Sequence, residues 1–138
     1  MHTPHCLRSV LVPLCLLLLA PACTTFHGLG DRVDVDLDSA PEGAEVCVLD
    51  ETIWYFAGKQ RFEQALAKGA WDPWFDRYRS TEGRTPVTLN LPQSIQHLVL
   101  HKDTRFVHRE YAAAADAADP KSGRRKLLVR IAGKDGVQ

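Results

Sequence analysis

Polar and apolar residues alternate most cleanly in RVDVDLDS, residues 32–39. Val33, Val35 and Leu37 fall on one side of an extended chain and Asp34, Asp36 and Asp38 on the other, the period of two that a half-buried strand shows. APEG, residues 40–43, has the proline and glycine of a turn. AEVCVL, residues 44–49, puts Val46 and Val48 on one face, so the pattern predicts a hairpin of two strands joined by a short turn. In GRTPVTLNLP, residues 83–92, turn chemistry is followed by Val87, Leu89 and Leu91 alternating with Thr88 and Asn90, which predicts a third strand. IQHLVLHK, residues 95–102, predicts a fourth, and TRFVHREY, residues 104–111, a fifth. AAAADAAD, residues 112–119, has high helix propensity but almost no large apolar side chain, and predicts a short helix or a connector. RKLLVRI, residues 125–131, predicts a last strand, and the remainder a loose tail. Short strands at close spacing with Gly/Pro turns predict a mainly β fold, a small antiparallel β-sandwich.

Between the second and third strands the period changes. In GKQRFEQALAKG, residues 58–69, Phe62, Ala65 and Leu66 fall at i, i+3 and i+4, and Gly69 is a helix stop. Asp72 and Pro73 then have the chemistry of an N-cap and first turn, opening a second helix in which Trp74 and Tyr78 lie at i and i+4 beside Phe75, with Trp71 just ahead. Residues 50–82 hold eight of the chain's eleven Phe, Trp and Tyr. Two readings follow. The rings can extend a thin core, since each buries ~150–250 Å². Alternatively, Trp71, Trp74 and Tyr78, with Arg77, Arg79 and Arg84 nearby, can form a recognition patch for a sugar, a peptide or a partner protein. A mixture puts Trp54, Phe62 and Trp74 inside, with Tyr78 and Arg79 near the rim.

The N-terminal end changes the picture of where the protein works. Arg8 precedes VLVPLCLLLLA, residues 10–20, an apolar run shorter than the roughly 20 residues that span a bilayer. A basic start, a short apolar core and small residues make an export signal of residues 1–22. Its end, LAPAC, resembles the lipobox of bacterial lipoproteins, with Ala20 where leucine is usual. The resemblance implies cleavage before Cys23 and a diacylglycerol on its thiol, giving a lipidated cysteine and tether over residues 23–31. An ordinary secretory signal cut near Ala22 is the alternative. On the lipoprotein resemblance Cys6 and Cys15 would leave with the signal and Cys23 would be lipidated, so Cys47 would remain alone with no internal disulfide available. Its flanks, EVCVL, suit a small buried residue.

Formal charge balances overall but not along the chain. Residues 31–51 hold eight acids and one arginine, whereas residues 121–134 hold six bases and no acid. The two segments can meet as neighbouring strands, lie solvated, or bring the basic tail to anionic headgroups. Nucleic acid is not an expected partner of an exported protein without net basic charge.

SAPEGAEVCV, GRTPVTLNLP and HLVLHK, taken in that order, resemble a PEGA domain. Pro41, Glu42, Gly43 and Ala44 stand literally, and Val46, Gly83, Thr85, Pro86 and His97 fit the rest of the pattern. The opening CTTFHGLGDRVDVDLDS also resembles small bacterial lipoproteins that tether such a unit. The resemblance implies an extracytoplasmic β-sandwich over residues 32–111 without known catalysis, regarded as a binding or structural module of cell-envelope proteins. Residues 50–82 depart from it as an insertion, and residues 112–138 follow it as connector, last strand and tail.

Three groups bear on chemistry. His97 and His101 share a face of a strand but stand ~13 Å apart, too far to chelate one ion, and His108 lies past a turn. Asp34, Asp36 and Asp38 sit ~7 Å apart, a spacing compatible with weak calcium binding or a glycosidase-like pair, but better read as a row that solubilises a strand and discourages edge pairing. No nucleophile elbow, phosphate loop or paired-cysteine motif occurs. The expected function is that of a non-catalytic envelope lipoprotein without cofactor or metal, anchored through Cys23 and contacting peptidoglycan or an envelope protein. By the same resemblance to lipoproteins, Thr24 rather than an aspartate after the cysteine implies the outer membrane where there are two. The alternative is a metal-dependent or enzymatic periplasmic domain using His97, His101, His108 and nearby acids.

Overall fold

The alternation of residues 32–39 does form a strand, but its partners are not the expected ones. The computed structural model describes residues 31–116 and 118–131; the signal, Cys23, most of the tether and the tail lie outside the described residues. The elements run β1 (Arg32–Ala40), β2 (Glu45–Asp50), α1 (Glu51–Ile53), a π turn (Trp54–Gly58), α2 (Lys59–Lys68), a 3-10 helix (Pro73–Tyr78), β3 (Val87–Pro92), β4 (Gln96–Lys102), β5 (Arg105–Tyr111), a 3-10 turn (Ala113–Ala115) and β6 (Arg125–Arg130). The strands make two three-stranded sheets, ordered β3-β1-β6 and β2-β4-β5.

β1 and β2 are therefore not a hairpin. The turn between them carries the chain from one sheet to the other, with Gly43 at φ 86°, a left-handed conformation that disfavours side chains. The physical reason lies in the burial of β2. Val46, Cys47 and Leu49 are all buried, so both faces of this strand are covered. A strand covered on both faces reads as a continuous apolar run rather than an alternation. β4 shows the same more strongly, with every residue from Gln96 to Leu100 buried.

The first sheet is mixed, not antiparallel. β1 pairs antiparallel with β3 but parallel with β6, from Val35↔Arg125 to Ala40↔Arg130. The connection from Tyr111 to Arg125 is long enough to return the chain in the same direction as β1. This pairing brings the acidic and basic segments together as neighbours, Asp36 opposite Lys126. The alanine-rich stretch makes only a three-residue 3-10 turn. It has no apolar stripe to bury, and it is held instead by Tyr111 Oη donating to Asp116 (2.7 Å) and Arg125 Nε donating to the Ala113 carbonyl (2.7 Å).

A buried cluster takes side chains from all six strands, including Val35, Leu37, Val46, Leu89, Leu91, Leu98, Leu100, Tyr111 and Val129. A second cluster, Cys47, Leu49, Trp54, Phe62, Phe75 and Val99, lies on the other side of the β2-β4-β5 sheet, under the helical segment.

The two stretches that carry the PEGA resemblance, APEGA and GRTP, are bonded to each other. Gly43 N–H donates to the Thr85 carbonyl (2.9 Å), Thr85 N–H to the Ala44 carbonyl (3.0 Å), and Ala44 N–H to Thr85 Oγ1 (2.9 Å). The Ser39 and Thr85 hydroxyls share a further bond at 2.5 Å, and both residues are buried. Thr85→Val keeps the shape but leaves the Ala44 N–H without its acceptor, while the Ser39 hydroxyl keeps only its bond to the Pro41 carbonyl (2.7 Å). It is expected to lower unfolding free energy by about 1–3 kcal/mol, read from urea denaturation; an unchanged midpoint would mean that water replaces the hydroxyl.

Candidate functional site

Residues 50–82 cover the face of the β2-β4-β5 sheet that carries Cys47, Leu49, His97, Val99, His101, Phe106 and His108. The cover starts where β2 ends. Asp50 caps α1 by accepting from Ile53 N–H (2.8 Å). The helix then widens by one residue, with Lys59 N–H donating to the Trp54 carbonyl. Gly58 lies against Leu49 and Trp54, where a Cβ would come within 3.1 Å and 3.0 Å of their side chains. α2 buries Phe62 and Ala65 and ends at Gly69, in the left-handed conformation expected of that stop.

Asp72 caps the next element as expected, accepting from Trp74 N–H (2.9 Å), but the element is a 3-10 helix. Its anchor is Phe75, fully buried and packed against Phe62, Trp71 and Trp74. The chain then runs along β2, where Ser80 N–H donates to the Val46 carbonyl (2.7 Å) and Arg79 bridges to Cys47. This strip covers the edge of β2.

The residues singled out as a recognition patch occupy the rim of this layer. Trp71 is half-buried and stacks on His101 with centroids 4.1 Å apart, while its Nε1–H donates to Asp76 (3.2 Å). Trp74 is half-buried beneath the Arg61 guanidinium, 5.1 Å from the ring, and Tyr78 is half-buried against it. Arg79 reaches Asp76 at 2.6 Å and Glu45 at 3.3 Å, and Arg84 reaches Glu45 at 3.1 Å. Arg77 is exposed. These rings face one another and their ion pairs more than they face water. Trp54 and Phe62 are inside.

Among the described residues, the large apolar side chains that face water are Leu128 in β6 and three residues elsewhere in the same segment. Phe56 is 89% exposed, Tyr55 60% and Leu66 53%. Tyr55 and Leu66 border a cleft of about 350 Å³ floored by Trp54, Phe62 and His108 and flanked by Lys59, Glu63 and Glu110. Sequence periodicity missed this surface because it assigns faces on a regular helix, and the π turn shifts the faces by one residue. The consecutive rings of WYF were the available signal.

The histidines divide into two arrangements. His97 is fully buried, and its Nδ1 lies 2.9 Å from His108 Nε2. Trp54 stacks on both rings, at 4.9 Å and 3.9 Å. The other nitrogen of His97 lies 3.7 Å from the Glu51 carboxylate. One proton assignment suits both contacts: His108 Nε2–H donates to His97 Nδ1, and His97 Nε2–H points at Glu51. His101 instead turns Nε2–H toward the Asp103 carbonyl at 2.7 Å. Among the described residues no three His, Cys, Asp or Glu side chains are grouped to hold a metal ion. The Cys47 thiol is buried and pushed up to about 12 by that burial and by Asp76, so thiolate is scarce at neutral pH.

Burial, with His97 and Arg109 adding to it, pushes His108 down to about 4. An unfolded histidine titrates near 6.5, so between about 6.5 and 4 the unfolded chain holds the extra proton. The stability that neutral His108 supplies is complete above 6.5 and falls away as pH drops toward 4. We expect this share to be about 1–2 kcal/mol, since water screens a half-buried ring. Urea midpoints measured from pH 7 to 4 should fall, and His108→Phe should flatten that slope; an equal slope in both proteins would assign it to other groups.

On the opposite side of the molecule, Asp36 accepts from Thr88 (2.7 Å) and Asp34 from Asn90 (3.0 Å), and Arg124 approaches Asp36 at 3.6 Å. The aspartate row is held by its neighbours across the sheet. A shallow depression of about 550 Å³ adjoins it, between Asp38, Thr88 and Lys126, with Leu128 at its border. No family model, curated protein or solved structure matches this chain.

Proposed function

We propose that this chain is a non-catalytic cell-envelope lipoprotein, anchored through Cys23, whose PEGA-like β-sandwich acts as a binding or structural module. The observation that carries the reading is the bonded union of APEGA and GRTP through Thr85. It gives the family-like residues a structural task, holding the crossover between two sheets that share a buried cluster. Gly43 takes a backbone angle that suits glycine there. The signal-like start and LAPAC support a location facing the periplasm or exterior and, with Thr24 by resemblance to lipoproteins, at the outer membrane where a cell has two.

The reading also fits the chemistry of the polar groups. His97 and His108 bond to each other under Trp54, and Cys47 is held as a buried thiol. Such groups stiffen a layer rather than present a nucleophile and its base to a substrate. Peptidoglycan or an envelope protein is the partner class that an anchored module of this kind meets.

Membrane fractionation of cells expressing the full chain, native or Cys23→Ala, tests the proposal. The native protein is expected in the membrane pellet through salt and alkaline washes, released by detergent, with the variant soluble. Release of the native protein by salt alone would overturn the anchor.

A further inference from the structure

The two most exposed rings of the helical segment, Tyr55 and Phe56, are consecutive, and the first and last residues of the π turn that holds them, Trp54 and Gly58, are buried. The π turn keeps its first and last residues on the sheet and turns these two rings out. Phe56 at 89% exposed has no counterpart among the other large apolar side chains of the described residues.

Strand register places these rings at one end of the molecule. Arg32, the first residue of β1, pairs with Pro92, the last of β3. Gln96, the first residue of β4, pairs with Asp50 on one side and Tyr111 on the other. Arg32 and Asp50 therefore flank the same short connection between β3 and β4, and Arg32, Pro92 and Gln96 border one shallow cavity. The helix starts at this end. The Tyr55 ring is 5.7 Å from His97, the second residue of β4. Thus the exposed rings stand at the end through which the chain enters its first strand.

Between Cys23 and Arg32 there are eight residues. Even fully extended they reach no more than about 30 Å. A lipid on Cys23 would hold this end of the module near the bilayer surface, and a short tether raises the local concentration of an attached group to on the order of millimolar. Two rings bind a membrane weakly from free solution, yet at that concentration a weak contact is populated. Residues 50–82 carry six acids and five bases, which makes the contact apolar rather than a response to anionic headgroups.

We propose that Tyr55 and Phe56 form a membrane-contact face that seats the module on the leaflet holding its own lipid. The inference rests on the lipid-anchored reading and adds to it an orientation: the β3-β4 connection faces the bilayer, and the turn between β4 and β5 points away.

The test uses lipidated mature protein in vesicles of phosphatidylethanolamine and phosphatidylglycerol. An environment-sensitive dye is placed at Gln60→Cys, one turn beyond Phe56, or at Thr104→Cys in the opposite turn. Buried Cys47 stays unlabelled. Lipids brominated along the acyl chain should quench the Gln60 dye by about half, since an interfacial side chain sits ~5–10 Å into the headgroup–acyl boundary. The Thr104 dye should keep its emission. Replacing Tyr55 and Phe56 with serine should abolish the quenching at Gln60 while flotation with vesicles persists. A protein that floats with an unquenched Gln60 dye overturns the contact and leaves the anchor standing. Shielding of that dye that grows with protein concentration, without lipid quenching, would give the face to a second copy and also overturn the proposal. Unmodified Cys23 in native membranes would remove the anchored reading itself, and the contact with it.

Discussion

Phe75→Ala is expected to destabilise the protein by about 3–5 kcal/mol, with most of the damage confined to the helical layer. Phe75 is fully buried and touches the rings of Phe62, Trp71 and Trp74, so truncation leaves a hole where three elements converge. Its cluster is distinct from the one shared by the six strands. Hydrogen exchange should therefore accelerate in α2 and the 3-10 helix well before it does in β1. The outer face of β2 and β4, with Cys47, Leu49 and Val99, should become more accessible, and Cys47 should begin to react with thiol reagents. Equal acceleration in β1 and α2 would mean that the two clusters unfold as one cooperative unit.

Leu37→Ala should have the opposite reach. Leu37 is 1% exposed, stands in the central strand of its sheet, and pairs with Val87 on one side and Leu127 on the other. A loss of about 2–5 kcal/mol is expected, the range seen when a buried leucine is truncated. Here exchange should accelerate in all six strands, and the helical layer should go with them, because its buried side chains pack on Cys47, Leu49 and Val99 of the β2-β4-β5 sheet. Thermal unfolding followed by tryptophan emission should show one transition at a lower temperature, since Trp54, Trp71 and Trp74 all lie in that layer. Retention of native tryptophan emission after loss of strand signal would contradict this hierarchy.

Strand positions were legible in the sequence because each strand of the first sheet has one wet face and one dry face. The alternation of β1 and β3 states this directly. Partners were not legible. A turn of Pro and Gly between two short strands is as compatible with a crossover between sheets as with a hairpin, and the choice depends on what covers the second face of β2. That information sits in Cys47 and Leu49, which interleave with Val46 and Val48 to make an unbroken apolar run. The parallel pairing of β6 was hidden for a similar reason, since direction is set by a long connection and not by the pattern within the strand.

The candidate site was legible in part. The end of α2 at Gly69 and the cap at Asp72 rest on local chemistry and stand where the residues indicated. The pairing of His97 with His108 depends on β4-β5 register, in which His108 lies opposite Val99 and one step from His97 on the same face. The exposure of Tyr55 and Phe56 depends on a π turn, which no periodic template contains.

Location, orientation and partner class all follow from the proposed lipid on Cys23. Its most direct test is the intact mass of the protein extracted from membranes of cells expressing the native full chain. The expected species is a chain beginning at Cys23 that carries the added mass of diacylglycerol, with or without a further acyl group on its amine. A membrane-extracted chain beginning at or near Cys23 with an unmodified thiol would contradict it.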